Sequence, residues 1–287
     1  MTRTRDFGSS NRENHDSSRF YKLELFNSLG FPDELFVENE FPSSLKNQIV
    51  LGDIRFDDRL VSSCVDLVVT SPPYNVGKEY DVDYSLGDYL EFLRSIFKRV
   101  YDVLRPGGRV CLNLANVGRR PYIPLTDAVS FMMQSLGFRM RGEIIWSKSA
   151  SVGSSTAWGS WKSPSNPTLR DIHEYILVFS KGDFKHRKRG TNSRSLISRD
   201  EFLEYTKSIW SFKTESAKRI GHPAPFPLEL PLRCIKLYAW SDDVVLDPFA
   251  GSGTTLLAAK QLGCVYLGYE VVSSYVDLAK LRLSGDS

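Results

Sequence analysis

Cysteine is scarce. The four thiols of this 287-residue chain stand at Cys64, Cys111, Cys234 and Cys264 and form no C-x-x-C pair, which removes the spacing of a zinc or dithiol redox site. Three lie in apolar, strand-like segments and read as reduced core thiols. Histidine is equally sparse, at four. His173-Glu174 opens an H-E-x-x-H, but Leu177 stands where the second histidine of a zinc protease belongs, so no metal site is expected. No apolar run reaches the roughly 18 residues needed to cross a bilayer. Residues 1–19 interleave Arg3, Arg5, Arg12 and Arg19 with Asp6, Glu13 and Asp16, and no apolar segment suited to a secretory leader follows. The expectation is a cytoplasmic chain, without membrane contact, that opens with a polar extension over residues 1–45. Charge of one sign is missing too. A net charge of +3 does not impose a nucleic-acid partner, so any basic surface must come from local clustering.

What is present is ordinary for a globular protein. With 41% hydrophobic and 25% charged residues, the chain can bury a full core in one large domain or two small ones. Residues 48–53 read as a strand ending in a polar turn. Residues 65–70 (VDLVVT) form an apolar run stopped by Pro72 and Pro73, the pattern of a buried parallel strand. Over residues 88–104, Leu93, Ile96, Phe97, Val100, Val103 and Leu104 share one helical face, and Arg105-Pro106-Gly107-Gly108 is expected to end that helix. Further strands are predicted at 110–114, 144–146, 175–179, 244–246 and 265–269. Further helices are predicted at 125–136, 227–239, 254–262 and 274–283. This alternation predicts a doubly wound α/β sheet.

The middle of the chain differs. Residues 150–168 are rich in Ser, Gly, Pro and Trp and read as a long loop of the kind that carries function. Residues 181–194 carry Lys181, Lys185, Arg187, Lys188, Arg189 and Arg194 against Asp183 alone, a density suited to phosphate contacts.

Two short motifs concentrate the chemistry. The later one, Asp247-Pro248-Phe249-Ala250-Gly251-Ser252-Gly253-Thr254-Thr255, is a Gly-rich turn between a strand and a helix, where Gly251 and Gly253 let backbone approach a ligand. Glu270 ends the next strand about 20 residues on, where a carboxylate accepts ribose hydroxyls. An adenosine-containing ligand fits this pattern. A nicotinamide dinucleotide fingerprint fails at Leu256, where a third glycine is required, and the turn lacks the G-K-[ST] of a P-loop. Thr254 and Thr255 are expected to cap the helix. The earlier motif, Thr70-Ser71-Pro72-Pro73-Tyr74, presents a hydroxyl, a carbonyl and an aromatic ring at the end of a strand.

Together the motifs resemble those of the amino-methyltransferases that act on DNA bases. Their order, catalytic motif first, resembles the circularly permuted beta group of that family, over roughly residues 46–285. The resemblance implies a Rossmann-like methyltransferase fold divided into a catalytic half (46–181), a short target-recognition segment (182–207) and a cofactor half (208–287). It implies S-adenosylmethionine as cofactor, held by Asp53, Thr70, His222, Asp247, Pro248, Phe249, Gly251, Gly253 and Glu270, with Asp53 on the adenine. The segment Gly221 to Pro227 (GHPAPFP) resembles the family's His-Pro segment over the methionine part, with Phe226 where a lysine is frequent.

The implied reaction is direct displacement by an exocyclic amine, whose lone pair is delocalised and weakly nucleophilic. Acceptors on its two N–H bonds draw it toward a nucleophilic geometry and stabilise the developing charge. Ser71 and the Pro72 carbonyl suit that task, Pro72 and Pro73 stiffen the turn, and Tyr74 offers a stacking surface for a base swung out of the duplex. The Thr-Ser-Pro-Pro-Tyr form resembles the N4-cytosine members, whereas the adenine-N6 members mostly carry aspartate at the position of Ser71. No cysteine follows a proline, so the Pro-Cys nucleophile of cytosine C5 methylation is absent. The implied partner is double-stranded DNA, contacted by Trp158, Trp161 and Lys162 of the loop and by Lys185, Arg187, Lys188 and Arg189. A restriction nuclease acting on the same site is the implied companion. His173-Glu174 resembles a recurrent pair in this family and is expected to serve hydrogen bonding, outside the chemical step.

Overall fold

The computed structural model describes residues 23–24, 37–74, 84–151, 153, 159–215 and 226–285. Contacts divide the chain into Met1–Leu35 and Phe36–Ser287, and the sheet belongs to the second unit. Among the described residues, no helix is long and apolar enough to cross a membrane.

In chain order the elements are β1 (Gln48–Leu51), β2 (Val65–Thr70), α1 (Leu86–Val103), β3 (Leu104–Leu114), the short β4 (Val117–Gly118) and β5 (Tyr122–Ile123), α2 (Leu125–Ser135), β6 (Phe138–Ser147), β7 (His173–Lys181), α3 (Arg199–Tyr205), β8 (Ile209–Ser211), α4 (Glu229–Tyr238), β9 (Val244–Asp247), α5 (Thr254–Gln261), β10 (Val265–Glu270) and α6 (Ser273–Ser284). Eight strands form one sheet in the order β1-β10-β9-β2-β3-β7-β6-β8. Neighbours pair in parallel except at β7, which runs against both β3 and β6.

Side chains of a strand alternate between faces, and the core divides accordingly. Val68 of β2 joins α1 and α2 in one apolar layer, while Leu67 and Val69 join α4, α5 and α6 in the other. This is the doubly wound α/β sheet expected. The pairing of β2 with β9, Val68 opposite Leu246, unites the early and late halves of the chain.

Three segments are placed by the fold. Within the expected N-terminal extension, the described residues 37–45 join the core. Phe41 and Leu45 are buried in the layer beneath α1, and Asn39 N–H donates to the Ser63 carbonyl. Secondly, Arg105-Pro106-Gly107-Gly108 ends α1 but does not delay the next strand, because β3 starts at Leu104. Val65 pairs with Leu104 and Leu67 with Arg109, so the four residues form a bulge within the strand. Gly107 sits there at φ 77°, and a Cβ on it would collide with the Lys185 carbonyl oxygen. Thirdly, residues 182–207, expected as the target-recognition segment, pack on the same sheet. They leave the end of β7, lie against that bulge, bridge Ser195 to Trp240 and lead through α3 into β8.

Candidate active site

In a sheet of this kind ligands bind beyond the carboxyl ends of the parallel strands. Thr70, Leu114, Asp247 and Glu270 all end strands on that edge. The start of the antiparallel β7 and the end of β6 share it, because Trp146 pairs with Glu174 and Leu114 with Tyr175. The two motifs therefore meet, although 177 residues separate their facing members, Thr70 and Asp247.

The contact is direct. Thr70 Oγ1 donates to Asp247 Oδ1 at 2.6 Å, and Thr255 Oγ1 donates to the Val69 carbonyl at 3.1 Å. The N-cap of α5 is Gly253, at φ 76°, without a side-chain cap. The expected capping by the threonines gives way to these cross-strand contacts. Thr254 Oγ1 accepts from Arg282 of α6, which also donates to the Ser252 hydroxyl and so braces the turn. A Cβ on Gly253 would lie 2.9 Å from Ala279 Cβ. That glycine is thus required by its left-handed backbone and by packing on α6.

Asp247 is deeply buried. Its Oδ1 accepts from Thr70 and from the Phe249 N–H, while Oδ2 has no hydrogen-bond partner. Burial raises the carboxyl to about 6, partly offset by the Thr70 hydroxyl. On β10, Glu270 accepts from the N–H groups of Gly251 and Val272, both at 2.9 Å. An unpartnered buried acceptor beside a second carboxylate and the half-buried Phe249 ring suits a ligand that combines N–H or O–H donors with an aromatic base. Asp53 lies on the same edge, after β1, but its carboxylate is already taken by the Arg55 backbone and guanidinium, at 2.9 and 2.6 Å. His222 and Trp158 lie outside the described residues.

The catalytic motif follows β2. Pro72 is buried, and Tyr89 of α1 donates to the Pro73 carbonyl at 2.7 Å, which holds the turn. Tyr74 is half-buried, packed against the apolar layer beneath α1. Its hydroxyl lies 3.2 Å from Ser71 Oγ and 3.4 Å from Glu174 Oε2. Asn113 Nδ2 donates to Glu174 at 2.7 Å and to the Tyr74 oxygen at 3.1 Å, and Lys148 Nζ donates to Glu174 Oε1 at 2.6 Å. Burial, then the charge of Glu174, raise the Tyr74 hydroxyl well above the usual phenol value. Sequence reasoning missed Asn113 and Lys148. The available signal was a lone amide inside the apolar run Val110 to Leu114. Glu174 was expected to serve hydrogen bonding, and its partners are Asn113, Lys148 and Tyr74. Its neighbour His173 turns to Tyr175, with Nε2 and the hydroxyl 2.9 Å apart.

The basic stretch lies at the other end of the strands. Asp66 is near the start of β2, five residues before Ser71, which is roughly 16 Å at 3.3 Å per residue. Arg105 and Arg189 pair with Asp66, and Arg189 and His186 reach Asp243 just before β9. Lys181 is buried and donates to the Tyr101 carbonyl at 2.7 Å. Arg187 pairs with Asp183, and Lys188 donates to the Thr191 carbonyl. Arg189 is thus engaged by buried carboxylates, and with Lys185 beside Gly107 the stretch is anchored near the amino ends of the strands. Asp66, His186 and Asp243 are close enough to share an ion, but two guanidiniums already serve the carboxylates. By contrast, Trp161 and Lys162 are exposed in the loop that leads into β7 at the catalytic edge.

Comparison with known proteins agrees with this geometry. The family described as DNA methylase, of the N6/N4 type, matches residues 65–281. The type II methyltransferase M.ScaI of Streptomyces caespitosus is 31% identical over 239 residues, which are 77% of this chain and 76% of that protein. TTHA0409 of Thermus thermophilus, provisionally assigned as a DNA modification methylase and solved with S-adenosyl-L-methionine, is 31% identical with a TM-score of 0.67, over 83% of this chain and 93% of that one. The cytosine-N4-specific PvuII DNA methyltransferase shares the fold at 20% identity and a TM-score of 0.65, over 82% of this chain and 85% of that one. With its cofactor turn and its Ser-Pro-Pro-Tyr turn side by side on adjoining strands, the chain belongs to the N6/N4 family of DNA methylases.

Proposed function

We propose that this protein is the modification methyltransferase of a restriction–modification system and methylates the N4 amine of cytosine in double-stranded DNA. The reading rests on one observation above all. A neutral serine hydroxyl, Ser71, stands at the end of β2 directly beside the cofactor turn, where the adenine-N6 members mostly carry aspartate. The relatives named type II methyltransferases support the restriction–modification role.

The cofactor is S-adenosylmethionine, which supplies a methyl group made electrophilic by its sulfonium. Asp247 and Glu270 are the acceptors for its donor groups, and Phe249 lines the base. Ser71 Oγ and the Pro72 carbonyl accept the two amine protons of the target base. This would pull the nitrogen lone pair out of conjugation and stabilise the positive charge that grows as the N–C bond forms and the sulfonium S–C bond breaks to leave a neutral thioether, after which the amine loses one proton to solvent. Pro72, Pro73 and the Tyr89 hydrogen bond fix the direction of those acceptors before the base arrives. The base must leave the duplex to reach them, and Tyr74 lines its path.

The duplex lies over the carboxyl edge of the sheet. There the β4–β5 hairpin exposes Arg119, Arg120 and Tyr122, and the loop before β7 exposes Trp161, Lys162 and Leu169. Cations with interleaved aromatics suit backbone contact and stacking.

Incubation of the purified protein with unmethylated DNA, followed by digestion to nucleosides, decides the target atom. Mass spectrometry with chromatographic standards separates the isomeric methylcytidines. N4-methyldeoxycytidine is expected. N6-methyldeoxyadenosine as sole product would replace the cytosine assignment.

A further inference from the structure

We propose that Glu174 is a positioning residue that fixes the polarity of the hydrogen-bond chain Ser71–Tyr74–Glu174, so that the Ser71 hydroxyl meets the target amine as an acceptor. The proposal rests on the reading of Ser71 as the group that receives an amine N–H.

A serine hydroxyl is ambivalent, because it donates one proton and accepts two. If its proton points at the substrate, it opposes an amine N–H and the catalytic advantage is lost. Something must turn that proton away, and a group that only accepts does so when placed at the far end of a chain of hydroxyls. The arrangement on β7 has that character. Glu174 Oε2 lies 3.4 Å from the Tyr74 hydroxyl, which lies 3.2 Å from Ser71 Oγ. Tyr74 keeps its proton, since burial and the nearby carboxylate hold its hydroxyl far above the usual phenol range. It therefore has one proton to give. Given to Glu174 at 3.4 Å in preference to the Asn113 carbonyl at 3.5 Å, that proton leaves the Tyr74 oxygen as the acceptor for Ser71 O–H, and Ser71 Oγ keeps lone-pair capacity for the amine beside its 3.5 Å contact from Asn113 Nδ2.

The flanking groups enforce the same sense. Asn113 Nδ2 donates to Glu174 at 2.7 Å and to the Tyr74 oxygen at 3.1 Å. A donor on the Tyr74 oxygen favours release of the phenol proton toward the carboxylate. Lys148 Nζ occupies the other Glu174 oxygen at 2.6 Å, which fixes the carboxylate's orientation. The side chains of Glu174 and Lys148 are only 14% and 22% exposed, so water competes weakly for these positions. The members come from β2 and its following turn, β3, β7 and the end of β6, and the sheet pairing alone brings them together.

The test uses the full chain and unmethylated DNA of mixed sequence, with single-turnover methyl transfer followed by a tritiated methyl group. Glu174→Gln replaces an obligate acceptor with an isosteric group that can donate. A roughly 10- to 100-fold loss of the transfer rate is expected, with cofactor and DNA affinities within about twofold of wild type. The double variant Ser71→Ala/Glu174→Gln should be no slower than Ser71→Ala alone, because the glutamate acts only through the serine. A Glu174→Gln enzyme that transfers at the wild-type rate, or losses that multiply in the double variant, would overturn the proposal. Should Glu174→Gln fail to fold, Tyr74→Phe carries the same comparison, since it removes the connecting hydroxyl and leaves every charge in place. Its loss must likewise vanish in the Ser71→Ala background, and a multiplying loss again refutes the relay. Analysis of the methylated nucleoside keeps the two readings apart. N6-methyladenine with intact coupling would refute the cytosine assignment alone, and N4-methylcytosine without coupling would refute the positioning role alone.

Discussion

The two ends of the same strands carry opposite kinds of charge arrangement. At the amino end, Asp66 and Asp243 are buried, and every one of their oxygens accepts a hydrogen bond from Arg105, Arg189, His186 or the backbone. At the carboxyl end, Asp247 is as deeply buried but keeps one oxygen unpartnered, and Glu174, Tyr74 and Ser71 form a chain that stops short at the serine. The densest run of positive charge in the sequence belongs to the first arrangement, where it locks a connection onto the sheet. The reactive end has fewer charges, but its acceptors are left with capacity to spare. On the proposed assignment, charge density marks structure here and unsatisfied acceptors mark function.

The contrast is most strongly tested at Ser71. Ser71→Ala should cut methyl transfer by about 100-fold or more, the scale typical of removing an oriented polar group, while calorimetry shows unchanged cofactor affinity. An equal loss of cofactor binding would move the serine from the chemistry to the binding site.

Gly253→Val is next. Valine would have to adopt a left-handed backbone and displace Ala279, at about 1–2 kcal/mol and about 1–3 kcal/mol respectively. A destabilisation of about 2–5 kcal/mol in denaturant unfolding is expected from the sum, with cofactor binding abolished as a consequence of the displaced turn. A variant of wild-type stability that still fails to bind would show that the glycine contacts the ligand directly.

Asp247 gives a pH signature. Its folded-state value of about 6 exceeds the ordinary 3.8, so the folded protein binds this proton more tightly than the unfolded chain. Stability contributed by the protonated form is present below about pH 4 and declines as pH rises to about 6. Above that the charged carboxylate costs the ligand-free protein about 3 kcal/mol. Asp247→Asn should raise ligand-free stability at neutral pH and weaken the cofactor. In wild type, cofactor affinity should fall about tenfold per pH unit below about 6, and a flat profile would place the ligand's donors elsewhere.

The smallest effect separates the two ends by salt dependence. Alanine at Arg120 and Lys162 should flatten the salt dependence of DNA binding by up to about 0.9 slope unit for each phosphate no longer neutralised. Arg189→Ala should leave that slope unchanged and lower stability by about 1–3 kcal/mol, less than a fully buried pair because its side chain is 30% exposed. A reversed outcome would return the duplex to the basic stretch.

Much of this was legible in the chain. The apolar run of β2 and the Gly-rich turn after β9 identify themselves through composition and local turn chemistry. The site's second tier does not, because a hydrogen-bond chain assembled from β2, β3, β6 and β7 depends on sheet order, which no local pattern encodes. Glu174 stands 61 residues from Asn113 and 26 from Lys148, and only antiparallel β7 brings the three together. The position of the basic stretch was illegible for the same reason. Its charges were plain, but whether they follow the carboxyl or the amino end of a strand depends on the direction of β7. The Arg105 to Gly108 bulge was read as an interruption, since a strand that tolerates four bulged residues does so only against a partner such as residues 182–190.

The hydrogen bond between Thr70 and Asp247 has a consequence for how such a protein can be arranged as a gene. It joins residues 177 apart through space, and the peptide route from one to the other plays no part in it. The same pocket is built whether the serine turn is translated before the glycine turn or after it. A chain cut at an exposed point between the halves and rejoined through its original termini would keep the same neighbours on the same strands. Motif order is thus a record of ancestry that the chemistry does not read.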